Sequence, residues 1–257
     1  MDRLIYTALT SMNAAMNKQR AVANNLANMS TPGFRGEVFA VTSATLSNGT
    51  LDARALARGQ VRGADMVAAS VTQTGQPLDL AVQGDGLIAF QDPAGGAGGG
   101  AEVYSRRGDL RVTGTGVLEN GEGLAVLGVG GGPITLPTGF AISVGEDGTV
   151  LARDPAAPNV PAQVVDQIKL VSAEGSRLVK GIDSFLKVPG GVDGLGGVLP
   201  PDPTARVTSG ALEGSNVETA ETLVDMIDAQ RAFEQRAKII STARDLDEAS
   251  SRLMSMR

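Results

Sequence analysis

Apolar residues recur at both ends of the chain with the spacing of helices that pack lengthwise. Ile5, Leu9, Met12, Met16, Gln19, Ala23 and Leu26 follow one another at alternating intervals of four and three. Leu4, Ala8, Ser11, Ala15 and Val22 form a second row beside them. Near the other end Met226, Gln230, Phe233, Ala237, Ile240 and, fourteen residues on, Met254 keep the same rhythm, and Leu223, Ile227, Ile239, Ala243, Leu246 and Leu253 make the neighbouring row. A 4-3 alternation is the seam of a coiled coil rather than the stripe of a lone surface helix. The spacing predicts helices over 1–28 and 216–254, the second one opened by a capping box of Ser215 and Glu218. A helix of that length spans about 58 Å. We expect an α+β protein whose long N- and C-terminal helices pair as a coiled-coil-like layer, with a mostly antiparallel β domain inserted between them. Ile5, Leu9, Met12, Met16, Leu26, Leu223, Met226, Phe233 and Ile240 are the candidate assembly seam. The second rows are left over for partners beyond the chain.

Between the helices the pattern changes twice. Residues 29–76 form a turn and then a polar, irregular stretch with scattered Leu51, Leu56, Val61, Met66 and Val71, which reads as an extended connector with one strand. Residues 77–208 read as β. Leu78, Leu80 and Val82 alternate with Asp79, Ala81 and Gln83. Asn120-Gly121 and Asp147-Gly148 each lie between apolar runs and accept positive φ at low cost, so both predict hairpins. Gln163–Ser172 reads as one longer strand, and the loops 92–101, 154–161 and 189–203 as exposed. Residues 209–257 lead into and contain the last helix.

Composition removes whole classes of chemistry. The chain of 257 residues carries a net charge of −6 and no basic run, which argues against nucleic acid as a partner. It has no Trp and 3% aromatic residues, so platforms for stacking bases are missing. It has no Cys and no His, which removes disulfides, thiolate chemistry, the commonest general base and the commonest metal ligand. Gly128-Val129-Gly130-Gly131-Gly132 lacks the Lys-Ser/Thr of a phosphate loop. Gly84-Asp85-Gly86 and Asp147-Gly148 lack the alternating ligands of a calcium loop. Asp245, Asp247 and Glu248 read as a solvated helix face. No catalytic, cofactor or metal site is expected. No stretch approaches a transmembrane helix, and the start of the chain lacks the unbroken apolar run of a secretory signal. Membrane insertion is therefore not expected.

The first helix is followed by Asn24-Asn25-Leu26-Ala27-Asn28 and Ser30-Thr31-Pro32-Gly33-Phe34-Arg35, physically a helix stop and a turn. This wording closely resembles the N-terminal signature of the bacterial flagellar rod and hook family. The resemblance recurs at Pro77–Gly86, at Tyr104-Ser105-Arg106-Arg107-Gly108-Asp109-Leu110 and at Gly210-Ala211-Leu212-Glu213-Gly214-Ser215-Asn216-Val217. Leu87 and Leu110 stand where that family usually has aromatic residues, and Arg107 where it usually has Asn.

The resemblance implies a structural subunit of the flagellar basal-body rod, nearest to its proximal-rod members. Its terminal helices would form the inner layer of a tube that transmits torque across the periplasm. Asn24, Asn25, Asn28, Pro32, Gly33 and Phe34 would form an inter-subunit turn. The implied partners are the distal-rod protein, the other proximal-rod subunits, copies of the chain itself and the type III export apparatus, a route that reads no cleavable signal. The near alternative is a distal-rod or hook subunit. The distant one is an exported β-rich hydrolase with helical oligomerisation arms, which would need a carboxylate pair converging in a cleft.

Overall fold

The computed structural model describes residues 2–48, 51–92, 102–157, 159–174, 176, 178–181, 183–189 and 197–255. The glycine-rich stretch 93–101 and residues 190–196 of the predicted loops lie outside the described residues. So do the side chains of Leu4, Ile5, Leu246, Leu253 and Met254. The chain divides into two compact units. One gathers residues 1–27, 37–63 and 217–257; the other gathers 28–36 and 64–216.

The first unit consists of helix α1 (Asp2–Ala27), a long hairpin of strands β1 (Glu37–Asn48) and β2 (Leu51–Ala64), and helix α2 (Thr219–Ser255). The connector read from the sequence as largely irregular is thus mostly this hairpin. Its sequence hides the strands because Ala, Gly and Arg interrupt the apolar alternation of β2. Helix α2 begins after Glu218, whose carbonyl accepts the Thr222 N–H at 3.0 Å, so the first turn closes three residues later than a Ser215 cap would place it. Helix α1 packs on both α2 and β1. Gly59 of β2 lies so close to α1 that a Cβ there would fall 2.8 Å from the Ala14 methyl, and Asn17 donates to the Gly59 carbonyl at 3.2 Å.

These contacts correct the expected coiled-coil-like layer. The buried face of α1 is Ala8, Ala14, Ala15, Ala21 and Val22, while Leu9 and Met16 of the expected seam are exposed. Among the described side chains of α2 the buried ones are Thr222 and Ala229, and the seam residue Gln230 is exposed. Large side chains therefore do not interlock as knobs in holes. Small residues let the backbones approach instead, and α1 also packs on a strand rather than pairing with one helix.

The second unit is mostly β, but it is not a single sheet. Its strands are β3 (Val71–Gln73), β4 (Leu80–Val82), β5 (Gly86–Gln91), β6 (Glu102–Ser105), β7 (Leu110–Val112), β8 (Leu118–Asn120), β9 (Ala141–Val144), β10 (Thr149–Arg153) and β11 (Gln163–Gln167). They continue with β12 (Leu170–Ser172), β13 (Val179–Lys180), β14 (Leu186–Lys187), β15 (Val207–Ser209) and β16 (Ala211–Glu213). The largest sheet runs β12-β5-β6-β14-β13, a smaller one runs β11-β10-β9, and β15-β4, β16-β3 and β7-β8 are pairs. All described pairings within this unit are antiparallel. The mostly antiparallel character of the inserted region is carried by several small sheets.

Strand β5 explains the core. Its run Leu87-Ile88-Ala89-Phe90 is fully buried. Alternate side chains enter opposite clusters, Ile88 and Phe90 with Val103, Leu118, Val126 and Val150, Leu87 and Ala89 with Tyr104, Leu127 and Val171. A strand covered on both faces reads as a continuous apolar run rather than an alternation. The Asp147-Gly148 turn joins β9 to β10, pairing Val144 with Val150, with Gly148 at φ 82°. Near Asn120-Gly121 the left-handed residue is instead Gly123, and the Asn120 N–H donates to the Leu124 carbonyl. The single strand expected over Gln163–Ser172 is two strands in different sheets. The break falls at Ile168 and Lys169, where Lys169 turns inward to bond both Glu102 carboxylate oxygens at 2.7 and 2.8 Å.

Candidate assembly surface and the polar knot behind the signature motifs

In the helical unit the inward stripe of α1 runs through positions 8, 15 and 22, flanked by 11–12, 18–19 and 25–26. That of α2 runs through 222, 229, 236 and 243, flanked by 226, 233 and 240. Met12 and Leu26 on α1, and Met226, Phe233 and Ile240 on α2, are half-buried at the edges of these stripes. Leu9 and Met16 are 48% and 46% exposed, and Leu223 is 47% exposed. Val224, Ile227 and Ile239 are 59%, 49% and 52% exposed. On both helices the residues of the expected seam divide between two faces. Its seven-spaced members 12, 19, 26 and 226, 233, 240 sit on the inner edge, and the other half is displaced by one residue, about 100° of rotation. The result is an unusual distribution: small residues inside, and large aliphatic ones on the outside of the same helices. The described ion pair between the helices is Lys18–Asp225 at 3.5 Å, with both side chains well exposed.

The residues of the turn separate into two groups. Asn25 holds Glu37 reciprocally: its Nδ2 donates to the Glu37 carbonyl at 3.1 Å and its Oδ1 accepts the Glu37 N–H at 2.7 Å. Asn24 donates to the Glu37 carboxylate. These asparagines fasten the end of α1 to the start of β1. Beyond them, Asn28 accepts from Thr31 N–H and Oγ1, at 3.1 and 3.2 Å, and closes the turn. Gly33 has φ 66° and sits against the Arg106–Arg107 peptide so closely that a Cβ would overlap it. Its N–H donates to the Glu213 carbonyl at 2.8 Å. Phe34 is buried under Lys180, whose ammonium lies 3.5 Å from the ring centroid and donates to the Arg35 carbonyl. Asn28 and Pro32 stay half-buried, and Met29 between them is exposed.

Behind that turn lies a polar knot that reading the motifs one at a time did not find. The Glu213 carboxylate accepts from Arg35 Nη2 at 2.7 Å, from Arg106 Nε at 2.6 Å and from the Ala69 N–H at 3.0 Å. The three charged side chains are only 2–3% exposed. Arg106 spends its remaining donors on the carbonyls of Val82, Gly84 and Gly86. Arg35 also donates to the Val67 carbonyl, and its Nε is buried with no protein partner. Burial pushes the Arg35 guanidinium below its ordinary value; Glu213 opposes the shift and Arg106 adds to it. Two guanidiniums on one carboxylate survive burial because nearly every donor is satisfied. Arg35, Gly84-Asp85-Gly86, Arg106 and Glu213 come from four separate signature motifs. The signal available in the sequence was the isolated charge in each motif, set beside apolar strand residues.

The chemistry available elsewhere is limited. A cleft of about 290 Å³ is lined by Asp85, Glu174, Asp202, Thr204 and Arg206 among others. The Asp202 carboxylate is occupied by its own turn, accepting from Thr204 N–H and Oγ1 at 2.8 and 2.6 Å, and these bonds hold its pKa below the usual range. Among the described residues no group of three or more His, Cys, Asp or Glu is placed to hold a metal. No helix among them is long and apolar enough to cross a membrane.

Comparison with known proteins bears on these surfaces. Residues 5–35 match the family described as flagella basal body rod protein. Residues 81–152 match the flagellar hook protein FlgE/F/G D1 domain, and residues 208–253 the flagellar basal body rod FlgEFG protein C-terminal. The chain is 38% identical, over the full length of both chains, to the flagellar basal-body rod protein FlgF of Salmonella typhimurium, and equally to that of Escherichia coli. It is 29% identical to the flagellar basal-body rod protein FlgG of Bacillus subtilis, over 96% of this chain and 97% of the other.

Proposed function

We propose how this chain is loaded and whom it meets from one premise: it belongs to the flagellar basal-body rod family, as a FlgF-like structural subunit of the rod and not an enzyme. It resides in the basal body and assembles with related rod subunits. Beyond that, we place it in the proximal rod, as part of the shaft that carries torque across the periplasm. Its neighbours there are copies of itself, other proximal-rod subunits and the distal-rod protein FlgG, and it arrives through the type III export apparatus.

The observation that carries this reading is the set of exposed large aliphatic side chains on α1 and α2: Leu9, Met16, Leu223, Val224, Ile227 and Ile239. Each is about half exposed, so covering the rest would gain roughly half of the 1.5–3 kcal/mol of a full burial, on the order of 1 kcal/mol. A helix pair that closes its own contact with alanines leaves that gain for neighbouring subunits. The rim of the turn at Asn28, Met29 and Pro32 supplies a second, smaller contact. Photo-crosslinkers at Leu9, Met16 and Ile239 in intact basal bodies test it. Adducts to FlgG and to proximal-rod subunits support the placement. Adducts confined to copies of this chain over many turns would mark a distal-rod or hook role instead.

A further inference from the structure

The chain passes between its two units at four places, 27/28, 36/37, 63/64 and 216/217. Three of the four are gathered by one residue of the β unit. Asn216 Oδ1 accepts the Gly36 N–H at 2.7 Å. Asn216 Nδ2 donates to the Asp65 carbonyl at 2.9 Å and to the Val67 carbonyl at 3.2 Å. The Asn216 N–H donates to the Phe34 carbonyl at 3.3 Å. The segments it joins are also bonded to each other, Asp65 N–H to the Gly36 carbonyl at 2.7 Å. A short planar amide is suited to this task because it offers an acceptor and two donors at once. Aspartate offers acceptors only, and glutamine reaches one methylene further. Glu213, three residues earlier, already anchors the core of the β unit, so Asn216 is not needed to hold that core together. It is half-buried, at the edge of the unit, and its partners are all backbone groups beside crossing points.

We propose that Asn216 is a positioning residue that pins three chain crossings to one root, so that the two ends of the β1–β2 hairpin and the lead into α2 start from a fixed place. The pin rests on the hydrogen bonds alone; its consequence for assembly rests also on the rod reading. Hydrogen exchange on the full chain, with Asn216→Ala and Asn216→Asp, tests the pin. In Asn216→Ala the Gly36 amide should exchange at least tenfold faster, while amides of β5 and β6 keep their protection and the unfolding midpoint barely moves. Asn216→Asp should keep the Gly36 amide protected, since the acceptor remains, and loosen the 64–67 segment. Unchanged Gly36 exchange in Asn216→Ala overturns the pin. So does acceleration spread evenly over β5 and β6 in both variants, which would make Asn216 a general stabiliser. Both variants should then enter basal bodies much less than the parent chain. Normal entry with a loosened root overturns the link to assembly, whereas a parent chain absent from basal bodies would count against the rod reading instead.

Discussion

The two units solve opposite problems. The β unit has a fully buried core of large side chains, in which Leu80, Leu87, Ile88, Phe90, Tyr104, Leu118, Ile134 and Ile168 show essentially no surface, although Val67, Val71, Val164 and Val198 at its periphery are exposed. It also buries charges, and satisfies them through the Arg35–Glu213–Arg106 knot and the Lys169–Glu102 pair. The helical unit buries chiefly alanines and leaves Leu9, Met16, Ile227 and Ile239 wet. A unit that closes its largest side chains into a core is held by its own interior. One that leaves such groups exposed on helices whose own contact is made by small residues has surface still to cover. On the proposed reading, the two tasks of a rod subunit fall to different residues: stability of the single chain to the β unit, and cohesion between chains to the outer helix faces.

The sharpest way to break this contrast is at Glu213. Replacing Glu213 by Ala leaves two buried guanidiniums facing each other, and removing one partner of a buried ion pair costs about 3–5 kcal/mol. The β unit should show a large fall in its denaturation midpoint. A loss under about 1 kcal/mol would mean that the knot is not what holds the β unit together.

Gly33→Ala comes next. The residue is left-handed, and its missing Cβ faces the Arg106–Arg107 backbone, which cannot move aside as a flexible side chain would. Strain and overpacking together should cost at least about 2 kcal/mol. Chemical denaturation checks it, and a neutral outcome would show that the turn can lift off the knot.

Much of the molecule was legible before any coordinates. The terminal helices announce themselves because a 4-3 apolar rhythm over several turns fits no other element. The Asp147-Gly148 hairpin was equally plain, since few residues accept its dihedrals. What the pattern missed has a common cause. Reading a seam by hydrophobicity favours Leu9 and Met16 over Ala8 and Ala15, yet close packing favours the small residue. On half of each helix the spaced apolar residues therefore lie one position from the buried row, and a coiled coil was expected where alanines make the contact. The outward Gln230, with Ala229 beside it, was the warning. The β1–β2 hairpin was hidden for a similar reason, its pattern diluted by Ala, Gly and Arg. The polar knot was out of reach for another: Arg35, Arg106 and Glu213 are separated by 71 and 107 residues, and only the fold brings them together.

Tyr104 gives a smaller and pH-dependent contrast. Its hydroxyl donates to Glu102 at 2.9 Å and accepts the Leu199 N–H at 2.8 Å. Burial pushes the phenol well above its ordinary pKa; the Leu199 N–H pulls it back and the Glu102 carboxylate raises it further. A raised folded pKa means that the neutral form is favoured in the native state. The contribution is complete below the unfolded value of about 10 and is lost as pH climbs above it. Tyr104→Phe should cost about 1–2 kcal/mol at neutral pH, because the Leu199 N–H is left unpaired. It should also flatten the loss of stability above pH about 10. Parallel alkaline limbs in the two proteins would show that the phenol is not the group responsible.

The smallest effect on folding should come with the largest effect on assembly, at Leu9 and Ile239. Both are about half exposed, so the single chain gains little from them. Replacing either by Ser should shift unfolding of the isolated chain by no more than about 0.5 kcal/mol, the range of ordinary surface changes. If neighbouring subunits cover these positions, the same substitutions should sharply lower the amount of chain recovered in basal bodies, and swimming with it. Ala15→Leu is the matched control. It adds bulk to the buried contact, where overpacking costs about 1–3 kcal/mol, and so should disturb the single chain before assembly begins. Were Leu9→Ser to unfold the isolated chain, or Ala15→Leu to leave it untouched, the inner and outer faces would have to be exchanged. That exchange would restore the seam read from heptad spacing. The pair of measurements therefore decides which row of α1 belongs to the chain and which to its neighbours.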